Sequence, residues 1–396
     1  MDITISPRKL SGTVSAIPSK SQAHRLLICA AFADAPTTLL CPETNRDIEA
    51  TAECLRALGV SITRTPEGYH IIPCRETPLC ATLPCGESGS TLRFMLPVAC
   101  ALGVNATFVM EGRLSQRPLS PLWEELERMG CTLSRPSENT VSCQGKLCPG
   151  EFYIDGGVSS QYITGLMLGL SLLPEESHLH ITGKLESAPY VQMTCRALEQ
   201  FSVKWDVLGG QRFRSPGTLP IEGDWSNAAF FLAAKHLGQP LEVTGLAADS
   251  PQGDRAVCDL LPLLSGKHAT VSAADIPDLV PILAVFAAAN HGAVFTEIGR
   301  LRLKESDRVA SVVGMLRALG GNAEAAETTL TVYPTPLSGG TVDACNDHRI
   351  AMAAAIAATV CKNPVTILGA ECVNKSYPAF WAEYRRLGGN YEQFLR

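Results

Sequence analysis

Several common signatures are missing from this 396-residue chain. Neither G-x-x-x-x-G-K-[ST] nor G-x-G-x-x-G occurs, which removes the P-loop and Rossmann readings. No C-x-x-C pair and no zinc-type Cys/His spacing occurs, although the chain holds 15 cysteines. They are scattered, most of them in apolar runs, as Cys29, Cys100 and Cys361 are, and these read as small buried hydrophobes in a reducing compartment. No metal and no organic cofactor is expected. No run of about 20 uninterrupted apolar residues appears, so no membrane span is expected. The start, MDITISPRKL, lacks the apolar core of a signal peptide, and a cytoplasmic location is expected. Excess positive charge is absent too. The formal net charge is −6, which argues against a general nucleic-acid or membrane-surface binder. Any anionic ligand must then be held by local clusters of Lys and Arg.

What is present is repetition. A helical phrase ending near a small residue, followed by a strand-like run, recurs through the chain. It reads ECLRALGVSI at 53–62, ELERMGCTL at 125–133, ALEQFSVKW at 197–205, DLLPLLSGKHATV at 259–271, MLRALGGNA at 315–323 and YRRLGGNYE at 384–392. The copies lie roughly 55–70 residues apart, a period that takes priority in any reading of the fold. Each unit also holds a second helix that is apolar nearly all round, such as STLRFMLPVACALG or HRIAMAAAIAATVC, which implies burial on most sides. Strand-like runs such as TTLLCP, AVFTEIG and PVTILG lie between them, so the class is α/β. Six units divide into two domains of three. The expected boundaries are 14–220 for one, and 1–13 with 221–396 for the other. The chain crosses near EGDWSNAAFF, and the first dozen residues pair with the second domain.

The buried helices share a polar start. Lys20 and Ser21 precede the first, with Arg25 in its opening turn. Gly89 and Ser90 open the second, with Arg93 following. Ser159, Ser160 and Gln161 open the third, and Asn346, Asp347, His348 and Arg349 open the last. The stretch RLRLKESDRVASVVGMLRALG at 300–320 reads as one amphipathic helix with Lys304, Glu305, Asp307 and Arg308 in its first turn. A helix N-terminus offers free N–H groups and the positive end of the macrodipole. Ser, Asn and Asp there are ordinary caps, and Ser90 and Asn346 read that way when taken singly. Cations are not favoured there. Their recurrence at Lys20, Arg25, Arg93, Lys304, Arg308 and Arg349 points to a strongly anionic ligand. Arg117, in the loop EGRLSQRPLSP, and Lys375, in VNKSYPAFW, are further candidates. Two acids stand among these cations. Asp278 lies at the mouth of an apolar helix, where plain capping would account for it. Glu305 lies between Lys304 and Ser306. Carboxylates in an anion site are tolerated when they move protons, and neighbouring cations keep them ionised.

These residues resemble one family over nearly the whole chain, the 5-enolpyruvylshikimate-3-phosphate synthases. The likeness rests on PSKSQAHR (18–25), GESGSTLRF (86–94), QRP (116–118), SSQY (159–162), IPD (276–278), LKESDR (303–308), NDHR (346–349) and Lys375, in that order. The resemblance implies two similar domains, each of three βαβαββ units in an inverted α/β barrel-like arrangement, with the active site in the cleft between them. It implies addition of the shikimate 3-phosphate 5-hydroxyl to C2 of phosphoenolpyruvate, then loss of phosphate from a tetrahedral intermediate. Under it, Lys20, Ser21, Arg25, Ser159, Ser160, Gln161, Ser187, Tyr190, Asp278 and Lys304 contact shikimate 3-phosphate. Lys20, Gly89, Arg117, Gln161, Arg308, Arg349 and Lys375 contact phosphoenolpyruvate. Asp278 handles the hydroxyl proton, Glu305 the proton at C3, and Lys20 assists. The two small molecules are the expected partners of a monomer.

Three positions depart from the family pattern. Glu87 stands where Asn is common, Ser90 where Thr is usual, and Arg300 where some members place Asn. Gly89 leaves room for glyphosate and Glu87 argues the other way, so sensitivity is left open. The nearest rival, UDP-N-acetylglucosamine enolpyruvyl transferase, usually carries a reactive Cys or Asp in a loop comparable to EGRLSQRP, which has neither. A non-catalytic anion-binding protein would not need Asp278 and Glu305 beside a full set of cations.

Overall fold

A computed structural model describes residues 1–394. The chain forms two compact units, one of residues 18–222 and one of residues 1–17 with 223–396. The first two strands, β1 (Asp2–Ser6) and β2 (Gly12–Ser15), belong to the discontinuous unit.

The continuous unit holds six helices: α1 (Lys20–Ala31), α2 (Arg46–Ala57), α3 (Gly89–Leu102), α4 (Leu122–Arg128), α5 (Ser160–Leu170) and α6 (Ala188–Gln200). Its strands are β3 (Thr37–Leu40), β4 (Ser61–Thr65), β5 (Gly68–Ile72), β6 (Cys80–Gly86), β7 (Asn105–Met110), β8 (Cys131–Ser137), β9 (Thr140–Gly145), β10 (Glu151–Asp155), β11 (His178–Thr182) and β12 (Thr218–Pro220). They form two four-stranded sheets, ordered β12-β3-β5-β4 and β6-β7-β9-β8, and the pair β10-β11.

The discontinuous unit repeats this plan. Its helices are α7 (Trp225–His236), α8 (Val257–Gly266), α9 (Val280–Ala289), α10 (Arg308–Ala318), α11 (His348–Ala357) and α12 (Phe380–Arg386). Its later strands are β13 (Leu241–Thr244), β14 (Ala269–Ser272), β15 (Ala293–Thr296), β16 (Asn322–Ala325), β17 (Thr329–Tyr333), β18 (Gly340–Asp343), β19 (Val365–Leu368) and β20 (Asn390–Phe394). Two four-stranded sheets, β14-β15-β17-β16 and β18-β19-β1-β20, again accompany one pair, β13-β2.

All four large sheets share one pattern. Their first two strands are parallel and joined to the rest by antiparallel pairing. The parallel pair needs a helical crossover, and an apolar helix supplies it, as α3 does between β6 and β7. The antiparallel hairpin needs only a tight turn. Two units stop at the parallel pair. After α8 only Lys267 and His268 precede β14, which is too short for a hairpin. After α6, residues 201–217 make only isolated bridges, at Ser177–Leu208 and Ala33–Phe213.

Helices α1, α3 and α5 lie in the core of one unit, and α7, α9 and α11 in the core of the other. Nine of the ten residues of α9, VPILAVFAAA, are buried. Such a helix has no polar stripe to give to solvent, so it packs on all sides. Close approach of α3 and α5 has a local cause. Pro97 lies inside α3 and has no N–H to give the Arg93 carbonyl one turn earlier. Gly165 of α5 lies against that carbonyl, where any Cβ would stand 2.1 Å from the oxygen. Gly169 meets the Pro97 backbone in the same way, with a Cβ at 2.8 Å. A side chain at either glycine would push the helices apart.

Candidate functional site

In the continuous unit the first turns of α1, α3 and α5 are tied together by side chains. Each has a cap. Ser19, Ser88 and Ser159 accept from the N–H groups of Gln22, Thr91 and Gln161. Ser88, rather than Ser90, therefore caps α3, and Ser90 is free to accept from Gln161 Nε2 at 3.0 Å. Gln161 Oε1 in turn accepts from Arg93 Nη1 at 2.6 Å. Arg93 also donates to the Pro118 carbonyl at 3.1 Å and lies over the Tyr162 ring. Arg117 approaches Gly89 so closely that a Cβ there would stand 2.5 Å from its Nη1. Gly89, Arg93, Arg117, Ser90 and Gln161 are thus one group.

A second group surrounds Arg25, which is 2% exposed. Its guanidinium donates to Thr194 Oγ1 at 2.9 Å, Thr164 Oγ1 at 3.1 Å, and the carbonyls of Ser21 at 2.5 Å and Tyr190 at 2.9 Å. Every one of these acceptors is neutral. Burial lowers the Arg25 pKa to about 10, so it stays cationic at neutral pH. Lys20, the first residue of α1, pairs with Asp47 at 2.8 Å. Ser160 is buried at the start of α5. Ser187 stands just before α6 with φ +57°.

In the discontinuous unit the centre is Arg308, which is fully buried. Its Nε donates to Asp347 at 3.0 Å, Nη1 to Asp278 at 2.8 Å and Nη2 to Glu305 at 2.7 Å. Further bonds reach the Pro277 carbonyl and the second Asp347 oxygen. Five donors thus meet five acceptors, the fork geometry that only arginine offers. The three carboxylates raise the Arg308 pKa against the opposing effect of burial. Arg349 bonds Asp278 at 2.8 Å, and Lys304 lies 3.7 Å from it. Burial disfavours the Asp278 charge, but Arg349, Lys304 and Arg308 prevail and hold its carboxyl well below the usual range. Burial brings Lys304 down to about 8, with Asp278 opposing. Lys375 is buried and donates to the Asn346 carbonyl at 2.8 Å, beside Asp347.

Besides Ser90, three local expectations need correction. The stretch 300–320 is not one helix. A 3-10 turn spans Gly299–Leu303, and α10 starts at Arg308 with Asp307 as its N-cap, accepting from Ala310 N at 3.1 Å. Lys304 and Glu305 stand in the connection, held by ion pairs rather than by helix geometry. Asp278 is not a cap either. Leu279 occupies that position, without a side-chain cap bond, and Asp278 is given to the arginines. Asp347, not Asn346, caps α11. Reading the sequence also missed Asp47 and Asp347 as partners of Lys20 and Arg308. A carboxylate two residues from Arg349 within NDHR was a usable signal; Asp47 offered none.

The chain matches the family model described as EPSP synthase (3-phosphoshikimate 1-carboxyvinyltransferase) over residues 5–273 and 264–384. It is 36% identical to the 3-phosphoshikimate 1-carboxyvinyltransferase of Clostridium kluyveri, covering 99% of this chain and 98% of that one. The enzyme of the same name from Clostridium acetobutylicum is 35% identical over 99% of this chain and 98% of its own. Among solved structures, EPSP synthase from Acinetobacter baumannii aligns with TM-score 0.79 at 22% identity, over 99% of this chain and 100% of that one. The enolpyruvyl transferase NikO from Streptomyces tendae aligns with TM-score 0.74 at 18% identity, over 99% and 98%. At those identities the two structures speak for the fold.

Proposed function

The chain belongs to the EPSP synthase family, and from that premise we propose that it transfers the enolpyruvyl group of phosphoenolpyruvate to the 5-hydroxyl of shikimate 3-phosphate, releasing phosphate. The observation that carries the reading is the single buried guanidinium of Arg308 holding both Asp278 and Glu305. Two carboxylates fixed within reach of one another, among cations, suit a reaction that removes one proton and adds another. The hydroxyl oxygen bonds to C2 while C3 gains a proton. The intermediate then loses phosphate and the C3 proton, restoring the double bond.

The residues divide the work by chemistry. Arg25, Ser21 and Tyr190, with Ser159, Ser160, Gln161, Ser187 and Lys304, would hold shikimate 3-phosphate. Gly89, Arg117, Arg349 and Lys375 would hold phosphoenolpyruvate, with Lys20 serving both. Arg308 has all its donors engaged, so its first role is to position Asp278 and Glu305. Asp278 takes the hydroxyl proton and Glu305 serves C3. An Asp278 so strongly ionised is a weak base in the absence of ligand. Phosphoenolpyruvate on Arg349 would draw that cation away and raise Asp278 basicity when it is needed. The oriented cations supply proximity and stabilise developing charge.

The test is phosphate release from phosphoenolpyruvate with shikimate 3-phosphate or UDP-N-acetylglucosamine as acceptor. Release with shikimate 3-phosphate alone is the expected outcome. Release with the sugar nucleotide alone would mean the acceptor residues are misassigned. Release with neither, from folded protein, would revive a binding role.

A further inference from the structure

Two residues of the family-like stretches have no place in the roles above: His24, within PSKSQAHR, and Thr91, within GESGSTLRF. Both are fully buried, and Thr51, also fully buried, joins them. His24 Nδ1 lies 2.7 Å from Thr51 Oγ1, and Thr51 Oγ1 lies 2.7 Å from Thr91 Oγ1. Thr91 Oγ1 then donates to Ser88 Oγ at 2.8 Å, with the Asp47 carbonyl at 3.4 Å as a second acceptor. The chain of bonds thus runs from α1 through α2 to the N-cap of α3 without reaching solvent.

Its two ends agree on its direction. A carbonyl only accepts, so Thr91 spends its proton at the Ser88 and Asp47 end and accepts from Thr51. Thr51 in turn accepts from His24, which places the ring proton on Nδ1. At the other end, His24 Nε2 is buried with no hydrogen-bond partner among the described residues. A buried N–H left unmet is rarer than a buried lone pair left unmet, which again leaves the proton on Nδ1. The ring is also neutral. Burial first, then Lys20 and Arg25, hold its pKa well below the ordinary value.

The two helix starts meet at Asp47. Its side chain pairs with Lys20 Nζ at 2.8 Å, and its carbonyl faces the Thr91 hydroxyl. The His24 ring also stands edge-on to Phe94 of α3, with centroids 6.1 Å apart. We propose that His24, in its Nδ1–H tautomer, is a positioning residue for the transfer: through Thr51 and Thr91 it fixes the first turn of α3 against Asp47, and so sets Gly89 against Lys20. A small slip of one helix start against the other would misplace two groups on one ligand, a fault of orientation rather than of charge. The proposal rests on the enolpyruvyl transfer reading, since it assigns Gly89 and Lys20 to phosphoenolpyruvate.

The experiment measures kcat, both KM values and the melting temperature in wild type, Thr51→Val, Thr51→Ser and His24→Asn. It also records imidazole nitrogen NMR spectra of the ligand-free wild type, in which the His24 signals are those that His24→Asn lacks. A protonated Nδ1 and a bare Nε2 are expected. Thr51→Val removes the hydroxyl at nearly constant volume, and the KM for phosphoenolpyruvate rises by about tenfold, the size of one hydrogen bond. The KM for shikimate 3-phosphate moves far less, because the acceptors of Arg25 lie outside the chain. Thr51→Ser keeps the hydroxyl and stays near wild type, although it gives up more packing than Thr51→Val does. His24→Asn, whose amide N–H can still serve Thr51, falls between the two. A proton on Nε2, an unchanged KM in Thr51→Val, or equal rises of both KM values overturns the proposal. Should Thr51→Val fail to fold, the ring spectrum and the KM split in His24→Asn decide in its place. Inactive wild type with the Nδ1 proton in place would strike the transfer reading, and the positioning role with it.

Discussion

Arg25 and Arg308 are both buried, and they are held in opposite ways. Arg25 is surrounded by two threonine hydroxyls and two carbonyls, and burial lowers its pKa. Arg308 is surrounded by Asp278, Glu305 and Asp347, which raise its pKa. A guanidinium kept from water without a carboxylate beside it is a charge still to be matched, and an anionic ligand can match it. A guanidinium already matched is a scaffold for the acids on it. On the proposed reading, the difference separates a residue that recruits substrate from one that arranges the proton-moving acids.

The largest effect should come from removing the scaffold. Arg308→Ala leaves three carboxylates close together, two of them away from most solvent, and Asp347 is fully buried. Breaking such a buried network costs about 3–5 kcal/mol, and activity should vanish with it. Arg308→Lys should rescue little, because one ammonium cannot serve three carboxylates in a fixed fork. Denaturant unfolding with a parallel activity assay checks both. A variant as stable as wild type would mean the acids are not held as described.

Arg25→Ala should behave differently. Thr164 and Thr194 already bond each other at 2.8 Å and need not be left unsatisfied, so the stability loss should be about 1–2 kcal/mol. The KM for shikimate 3-phosphate should rise by roughly 10- to 100-fold, as for one or two lost bonds to a charged group, while that for phosphoenolpyruvate moves far less. If both rose alike, the contrast between recruiting and arranging arginines would fail.

The reach of the sequence follows the same division. The six inner helices were legible because burial on all sides writes itself into nearly unbroken apolar runs. Most of the cations were legible because they stand near helix starts, where a positive charge needs a reason, although Lys304 proves to stand in the connection before α10. What they hold was less so. Lys20 meets Asp47 across α1 and α2, and no local pattern records that meeting; Arg308 meets Asp347 across α10 and α11, with the acid of NDHR as its one local sign. Asp278 looked like a cap because capping is the local rule. A long-range pair of arginines overrode it.

Lys304 lies between the two extremes, a cation with a carboxylate at 3.7 Å and a pKa brought down to about 8. Its pKa is below the ordinary lysine value, so its charge is lost as pH rises through about 8. The KM for shikimate 3-phosphate should then rise by about tenfold per pH unit above that value. Lys304→Arg should flatten the profile, because guanidinium keeps its proton throughout that range. A flat wild-type profile would place Lys304 outside the binding set.

The smallest change concerns Arg117, which is placed by what Gly89 lacks. A Cβ at Gly89 would stand 2.5 Å from Arg117 Nη1 and 3.0 Å from Arg93 Nη1, both at the ends of flexible side chains. Gly89→Ala should therefore displace the arginines rather than the backbone, and the melting temperature should stay near that of wild type. The KM for phosphoenolpyruvate should rise by roughly tenfold or less, the size of one charged hydrogen bond weakened rather than lost. Shikimate 3-phosphate should be affected far less, because Arg25 and its hydroxyl partners lie on α1, α5 and α6 and only Gln161, through Arg93, links the two sets. A loss confined to shikimate 3-phosphate would reverse the assignment of the two groups within this unit.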